Sequence, residues 1–382
     1  MRVTQSMLAN HSLQYISQGY ERLGRLQDQL VTGKKISRPS QDPVVAMKGM
    51  RYRTQVSEVV QFKRNLGEAF NWLDTAESAL DQGTEVLKRI RELVQDAAND
   101  TKSADERANI AKEIEQLREH LQSIANTKNS NKYIFNGTDT TTPPISDSSK
   151  FNLGLDYLFE PGAPLDSVEL VYDSKIFVFD NGNSDLDNGI LVFQAVGNSN
   201  ETLTVTNGTE LSVTYTKQHT SGDVETKTLR TNDVVVAAKD AVSTNQHPVE
   251  IELFKGVTLT VNIDPTRIFN NALFGDIIRL ENALKDPDVE GRDLTVYIDT
   301  MFAHIDTFVT ERAELGARIN RAEMMENRLW DLEIIAKKVM SDNEDIDMEE
   351  VFINLTIQQS VHRAALAAGA RILQPSLMDF LR

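Results

Sequence analysis

Six histidines, His11, His120, His219, His247, His304 and His362, are the side chains of this sequence best suited to metal ligation or proton transfer. None stands at HExxH or comparable tight ligand spacing from another, so their pattern places them on surfaces and interfaces rather than in a catalytic or metal site. Cysteine is absent, which excludes disulfides, thiolate nucleophiles and thiolate zinc sites. No glycine-rich phosphate loop and no Gly-x-Ser-x-Gly elbow occurs; Gly182 and Gly189 fall in hairpin-like turns. Asn183, Asp185 and Asp187 come nearest to a calcium loop. There, however, Asn188 takes the place of the sharp-turn glycine and Gln194 that of the bidentate glutamate. Asn136-Gly137-Thr138 and Asn207-Gly208-Thr209 fit the glycosylation triplet, but the same tripeptides are ordinary turn chemistry, and the turn reading is preferred. The expectation is a protein with no catalytic residue, no cofactor and no metal.

The bulk composition limits the partners. In 382 residues, 57 acidic side chains outnumber 40 basic ones, a formal charge of -17 that has the wrong sign for a nucleic-acid backbone. No apolar run approaches the length of a membrane span. Residues 1–14 lack the continuous apolar core of a secretory signal, so composition alone assigns the chain to the cytosol.

With no chemistry to position, the organisation of the elements carries the information. Leu13, Ile16, Tyr20, Leu23 and Leu30 lie at helical spacing, and Gly33 is placed to close that helix in the left-handed C-cap conformation. Pro39 keeps the following loop extended, and Asp42 caps a long second helix with Pro43 at its first position. That helix carries Leu66, Phe70, Leu73, Leu80, Leu87, Ile90 and Val94 in phase. Ser103 and Glu106 form a capping box for a third helix, expected to pack antiparallel on the second. From Phe151 to Asp264 the period shortens to two and the composition turns to Val, Thr, Phe, Asn and Gly, giving eight candidate strands between Val168 and Ile263. A short helix is expected at Asp233–Val242. Helical spacing returns at Leu273 and keeps coiled-coil phase from Leu294 to Leu329, and Asp342–Asp347 should break it.

The closing stretch, Met348 to Arg382, sets Met348, Phe352, Leu355, Leu366 and Leu373 on one helical stripe. Pro375 kinks or ends this helix and leaves Leu377, Met378, Phe380 and Leu381 as an apolar tip. Packing of the two terminal stripes within one molecule is the ordinary reading. Their position at both chain ends favours burial against neighbouring copies instead, with the terminal helices ordering as they assemble.

Three stretches together carry a resemblance. The loop Thr32-Gly33-Lys34-Lys35-Ile36-Ser37-Arg38-Pro39-Ser40-Gln41-Asp42-Pro43 resembles the N-terminal signature of the flagellin superfamily, in a form similar to its hook-associated junction members. The ending Ala370 to Leu381 and the segment Tyr133 to Thr138 are similar to corresponding stretches of the same branch. The resemblance implies a structural subunit of the bacterial flagellum, an adaptor at the hook–filament junction. Its partners would be copies of itself in a ring, hook-associated protein 1 on the hook side and flagellin on the filament side. A flagellar export chaperone would hold it before export, and export would occur through the flagellar apparatus without a cleaved signal peptide. The fold expected is α+β and multidomain, a long coiled-coil-like bundle built from both chain termini with an inserted all-β domain. Residues 1–43 form an N-terminal core helix and loop paired with a C-terminal core helix at 341–382. The two halves of the bundle lie at 44–136 and 271–340, and the β-rich insert at 137–270. The alternatives are filament flagellin itself, or an adhesin acting through the β insert.

Overall fold

The computed structural model describes residues 5–99, 102–186, 188–208, 211–219 and 223–373. The first helix, α1 (Gln5–Thr32), ends where Gly33 turns to a φ of 69° and donates its N–H to Gln29 O at 2.8 Å, a conformation a side chain would disfavour. Helix α2 (Pro43–Ala97) begins at Asp42, whose Oδ1 accepts the N–H groups of Val44 and Val45 at 2.9 and 3.1 Å. Along α2, Val59, Leu66, Leu73, Leu80, Leu87 and Val94 are buried at a strict interval of seven. A second heptad column, Ala69, Ala76, Gly83, Ile90 and Ala97, is mostly small. A seven-residue repeat gives a left-handed supercoil, and small residues in one column let the neighbouring helix approach closely. Helix α3 (Ala104–Ala125) starts with the Ser103–Glu106 capping box, and Arg89 of α2 reaches Glu113 of α3 at 2.9 Å.

Strands β1 (Lys128–Asn129) and β2 (Lys132–Tyr133) form a small hairpin. The main sheet takes β3 (Val168–Tyr172), β4 (Lys175–Phe179), β5 (Ile190–Ala195), β6 (Asn198–Asn207), β7 (Leu211–Gln218), β8 (Val224–Leu229) and β9 (Val235–Ala238). All of its ladders are antiparallel, in the order β8-β7-β6-β5-β4-β3-β9. Leu170, Phe177, Phe193, Leu203, Val205 and Val213 fill one face beneath Leu155 and Leu158. Strands β10 (Glu250–Phe254) and β11 (Val257–Thr260) form a separate hairpin turned by Gly256. Where a helix was expected at Asp233–Val242, the chain makes one 3-10 turn at Thr231–Asp233 and then β9. The β-branched run Val234, Val235 and Val236 is buried on both sides, which suits a covered strand better than a short helix.

After the short α4 (Pro265–Ile268), helix α5 (Asn271–Lys285) packs on the back of β3 and β9. It does so at Gly275, where a Cβ would lie 2.7 Å from Val171. The contact is fixed by a buried polar network. Asp276 accepts Arg279 Nη1 at 2.7 Å and Ser174 Oγ at 2.9 Å, and pairs with His304 Nε2 at 2.9 Å, while Arg279 Nε donates to Asp233 O at 2.6 Å. Burial opposes the Asp276 charge, yet His304 and Arg279 hold its carboxyl below the ordinary value. His304 is half-buried and is one of three side-chain partners that offset the burial of Asp276, an interface position rather than a metal or catalytic one.

Helix α6 (Thr295–Glu344) buries Met301, Phe308, Leu315, Ala322, Leu329 and Ala336, again every seven residues. It continues to Glu344, so the break before α7 (Met348–Leu373) is confined to Asp345–Asp347 and is shorter than Asp342–Asp347. The chain forms two compact units, one of residues up to Arg64 and from Glu326 onward, the other Asn65–Met325.

Among the described residues no group of three or more His, Asp or Glu side chains is arranged to hold a metal ion. In the calcium-like stretch, Asp180 accepts Gly182 N–H and Asn183 Nδ2, and Asp185 accepts Asn188 N–H and Nδ2, so both carboxylates are spent on the turns; Asp187 lies outside the described residues. Asn136 is buried and donates to Thr142 O at 3.0 Å, which closes a turn. Thr209 lies outside the described residues.

Candidate assembly surface

The signature loop is clasped by the turn between α6 and α7. Lys35 N–H donates to Glu344 O at 2.7 Å, and Ile346 N–H donates to Gly33 O at 3.1 Å, so the loop and the turn pair like two strand ends. Side chains lock the clasp. Lys34 Nζ lies 2.6 Å from Asp345 Oδ1 and 3.3 Å from Glu344 Oε2, and Arg53 forks onto Glu344 with Nε and Nη2 at 2.8 and 2.7 Å. Such a bidentate pair fixes direction as well as distance. A Cβ on Gly49 would lie 2.6 Å from Glu344 Oε1, so the bare backbone there makes room for the carboxylate. Hydrogen bonds from Arg53, aided by Lys34, hold the Glu344 carboxyl below its ordinary value against the opposing effect of burial. Nothing local in the sequence distinguishes Glu344, and sequence reasoning missed it.

The signature residues surround this latch. Ile36, Arg38 and Pro39 line a cavity of about 170 Å³ with Val45, Met50 and Arg53. Ser40 is exposed on the turn closed by Gln41 N–H to Arg38 O at 3.0 Å. Gln41 Oε1 accepts Ser37 N–H at 2.8 Å, and Asp42 and Pro43 open α2.

Beyond the latch, α1 and α7 run antiparallel. A Cβ on Gly19 would lie 3.3 Å from His362 Nδ1, and one on Gly369 3.3 Å from Ile16 Cδ1. The Tyr20 and His362 rings meet edge-on at 4.8 Å. Small residues on facing sides let the two helices close on each other, so their stripes are partly paired within one molecule rather than waiting for a neighbour to fold. Ile16, Leu23, Leu30 and Leu355 are half-buried in this way. Leu13, Tyr20, Phe352 and Leu366 are not: they are 53%, 68%, 63% and 46% exposed. The Leu373 side chain is not described, and Pro375, Leu377, Phe380 and Leu381 lie outside the described residues.

The uncovered apolar surface is wider than the stripes read from the sequence. On α7 it includes Ile353, Ile357 and Val361, on α2 Val44 and Met47, and on α6 Trp330, Ile334 and Ile335. The pairs Val44 with Met47 and Ile353 with Ile357, at intervals of three and four, are the signal that could have revealed it. Folded monomers rarely expose apolar residues in such density unless another protein covers them.

Residues 3–140 match the family model for the bacterial flagellin N-terminal helical region. Over 148 residues the chain is 30% identical to flagellar hook-associated protein 3 of Escherichia coli, covering 38% of this chain and 47% of that protein. Its N-terminal third is thus similar to the helical region of bacterial flagellins. A flagellin of Clostridium tyrobutyricum is 24% identical over 374 residues, 91% of this chain and 92% of that one. In fold, the chain is similar to a solved flagellar hook-associated protein of Vibrio parahaemolyticus, with 16% identity and a TM-score of 0.51 over 80% of this chain and all of that one. The chain spans about half the length of the hook-associated protein 3 relative it matches.

Proposed function

We propose that this chain is a structural subunit of the bacterial flagellum, an adaptor at the hook–filament junction that supports motility. It assembles through α1 and α7, forms a ring with its own copies, and joins hook-associated protein 1 on one side to flagellin on the other. The observation that carries this reading is the set of exposed Leu13, Tyr20, Phe352 and Leu366 on a helix pair whose other side is already closed. Each such side chain, once buried, is worth about 1.5–3 kcal/mol, so a few per helix offset the cost of ordering an interface. As a structural part the subunit carries no reaction. It reaches the flagellum through the flagellar export apparatus without a cleaved signal peptide, with a chaperone on its C-terminal helix beforehand.

A second reading, filament flagellin, is favoured by the likeness to the Clostridium tyrobutyricum flagellin along nearly the whole chain. Antibody labelling of isolated flagella separates the two. A single band at the hook end is the result expected of the adaptor; label along the whole filament would replace it with flagellin.

A further inference from the structure

The seven-stranded sheet has two unlike ends. At β9 the chain covers its own edge, with Leu153 N–H donating to Val236 O at 2.9 Å. At β8, among the described residues, no strand pairs along the outer side. The register against β7 fixes which backbone groups of β8 are left over. His219 N–H donates to Asp223 O at 2.8 Å, and the pairs Lys217↔Glu225 and Tyr215↔Lys227 follow at steps of two. In an antiparallel ladder, hydrogen-bonded and non-hydrogen-bonded pairs alternate, so Glu225 and Lys227 spend their backbone groups on β7. Val224, Thr226 and Thr228 point theirs outward. The side chains of all five residues are exposed.

We infer that this edge is an interface with a second copy of the same chain, the two β8 strands pairing antiparallel about a two-fold axis through Thr226. The axis sets the outward groups of Thr226 against those of its copy, and those of Val224 against those of Thr228. It also sets Glu225 directly opposite Lys227 of the second copy, and Lys227 opposite its Glu225. These are the non-hydrogen-bonded positions, where facing side chains come closest and opposite charges attract most. The neighbouring registers lose this match. A slip of two residues one way sets Glu225 against Glu225 of the copy, and the other way sets Lys227 against its copy, a like-charge pair at the axis in each case. Lysine on an edge strand ordinarily discourages pairing with other chains, but here the acid that offsets it lies across the two-fold. Because the contact is isologous it closes on itself, joining two subunits and no more. The inference does not depend on the flagellar assignment.

Sedimentation velocity of the purified full-length chain over a range of concentrations tests it. The expected result is a concentration-dependent dimer that weakens as salt is added. Glu225→Lys and Lys227→Glu, each alone, should weaken that dimer by about tenfold or more, since both edges then carry two charges of one sign. Mixed in equal amounts, the two variants should pair again, an edge of two positive side chains facing one of two negative ones. Thr226→Pro, which removes an outward N–H and leaves the β7 ladder intact, should also weaken the dimer. A chain that stays monomeric at every concentration would overturn the inference. So would association that survives both charge reversals, which belongs to the exposed apolar helices instead.

Discussion

Glu344, the last residue of α6, holds the guanidinium of Arg53 in a two-point grip at 2.8 and 2.7 Å across 291 positions of sequence. The same carboxylate stands 3.3 Å from Lys34, so one side chain ties the signature loop, the start of α2 and the end of α6 together. The latch sits at the end of the α1–α7 pair, where both helices turn back toward the rest of their unit.

The first prediction concerns acid. The Glu344 carboxyl is held below its ordinary value of 4.5 in the folded chain, so its contribution is present above that pH and fades as the pH falls through the depressed value. Unfolding of the terminal unit should therefore become easier as the pH drops below about 4.5. Glu344→Gln should flatten this dependence, and Glu344→Ala should cost about 1.5–3 kcal/mol at neutral pH. Thermal unfolding followed by circular dichroism at several pH values checks both; an unchanged acid profile in Glu344→Gln would remove the latch from the account.

A second prediction tests the close approach of α2 and α6. A Cβ on Gly83 would meet Phe308 Cε1 at 2.6 Å, whereas Gly67, on the same helix, has open space around it. Alanine gains roughly 1 kcal/mol over glycine in a helix interior, and overpacking costs about 1–3 kcal/mol. Gly67→Ala should raise the melting temperature and Gly83→Ala should lower it. Adding Phe308→Leu should return part of what Gly83→Ala loses.

The buried network supplies a third. Removing one member of a buried ion pair strands the other, at a cost of about 3–5 kcal/mol. Asp276→Asn and Arg279→Met should each destabilise Asn65–Met325 on that scale. The double variant should lose less than the two losses added together, a non-additivity that denaturant titration reads directly.

These relationships differ in how far they could be read in advance. Strands β5 and β6 follow from alternation, because one face of each is buried and the other is more exposed. The Ser103–Glu106 box and the Asp42-Pro43 start follow from local capping chemistry. Strand β9 did not, since Val235–Ala238 is covered on both sides and a short continuous apolar run carries no period. Glu344 and Asp276 escaped for a different reason. Nothing within a few residues marks which acids will find a partner from a remote element. Gly83 was legible in principle, because a glycine inside a strongly periodic helix signals close packing.

The account rests on the uncovered apolar faces of α1 and α7 being the assembly surface, and one pair of substitutions tests it most directly. Phe352→Asp with Ile357→Asp changes two side chains that are 63% and 56% exposed, so the folded subunit should keep its stability to within about 0.5 kcal/mol each. Cells lacking the native chain and supplied with this variant should export it, with an unchanged melting curve for the purified protein, yet their isolated flagella should contain none of it. Incorporation at the level of the native chain would contradict the account.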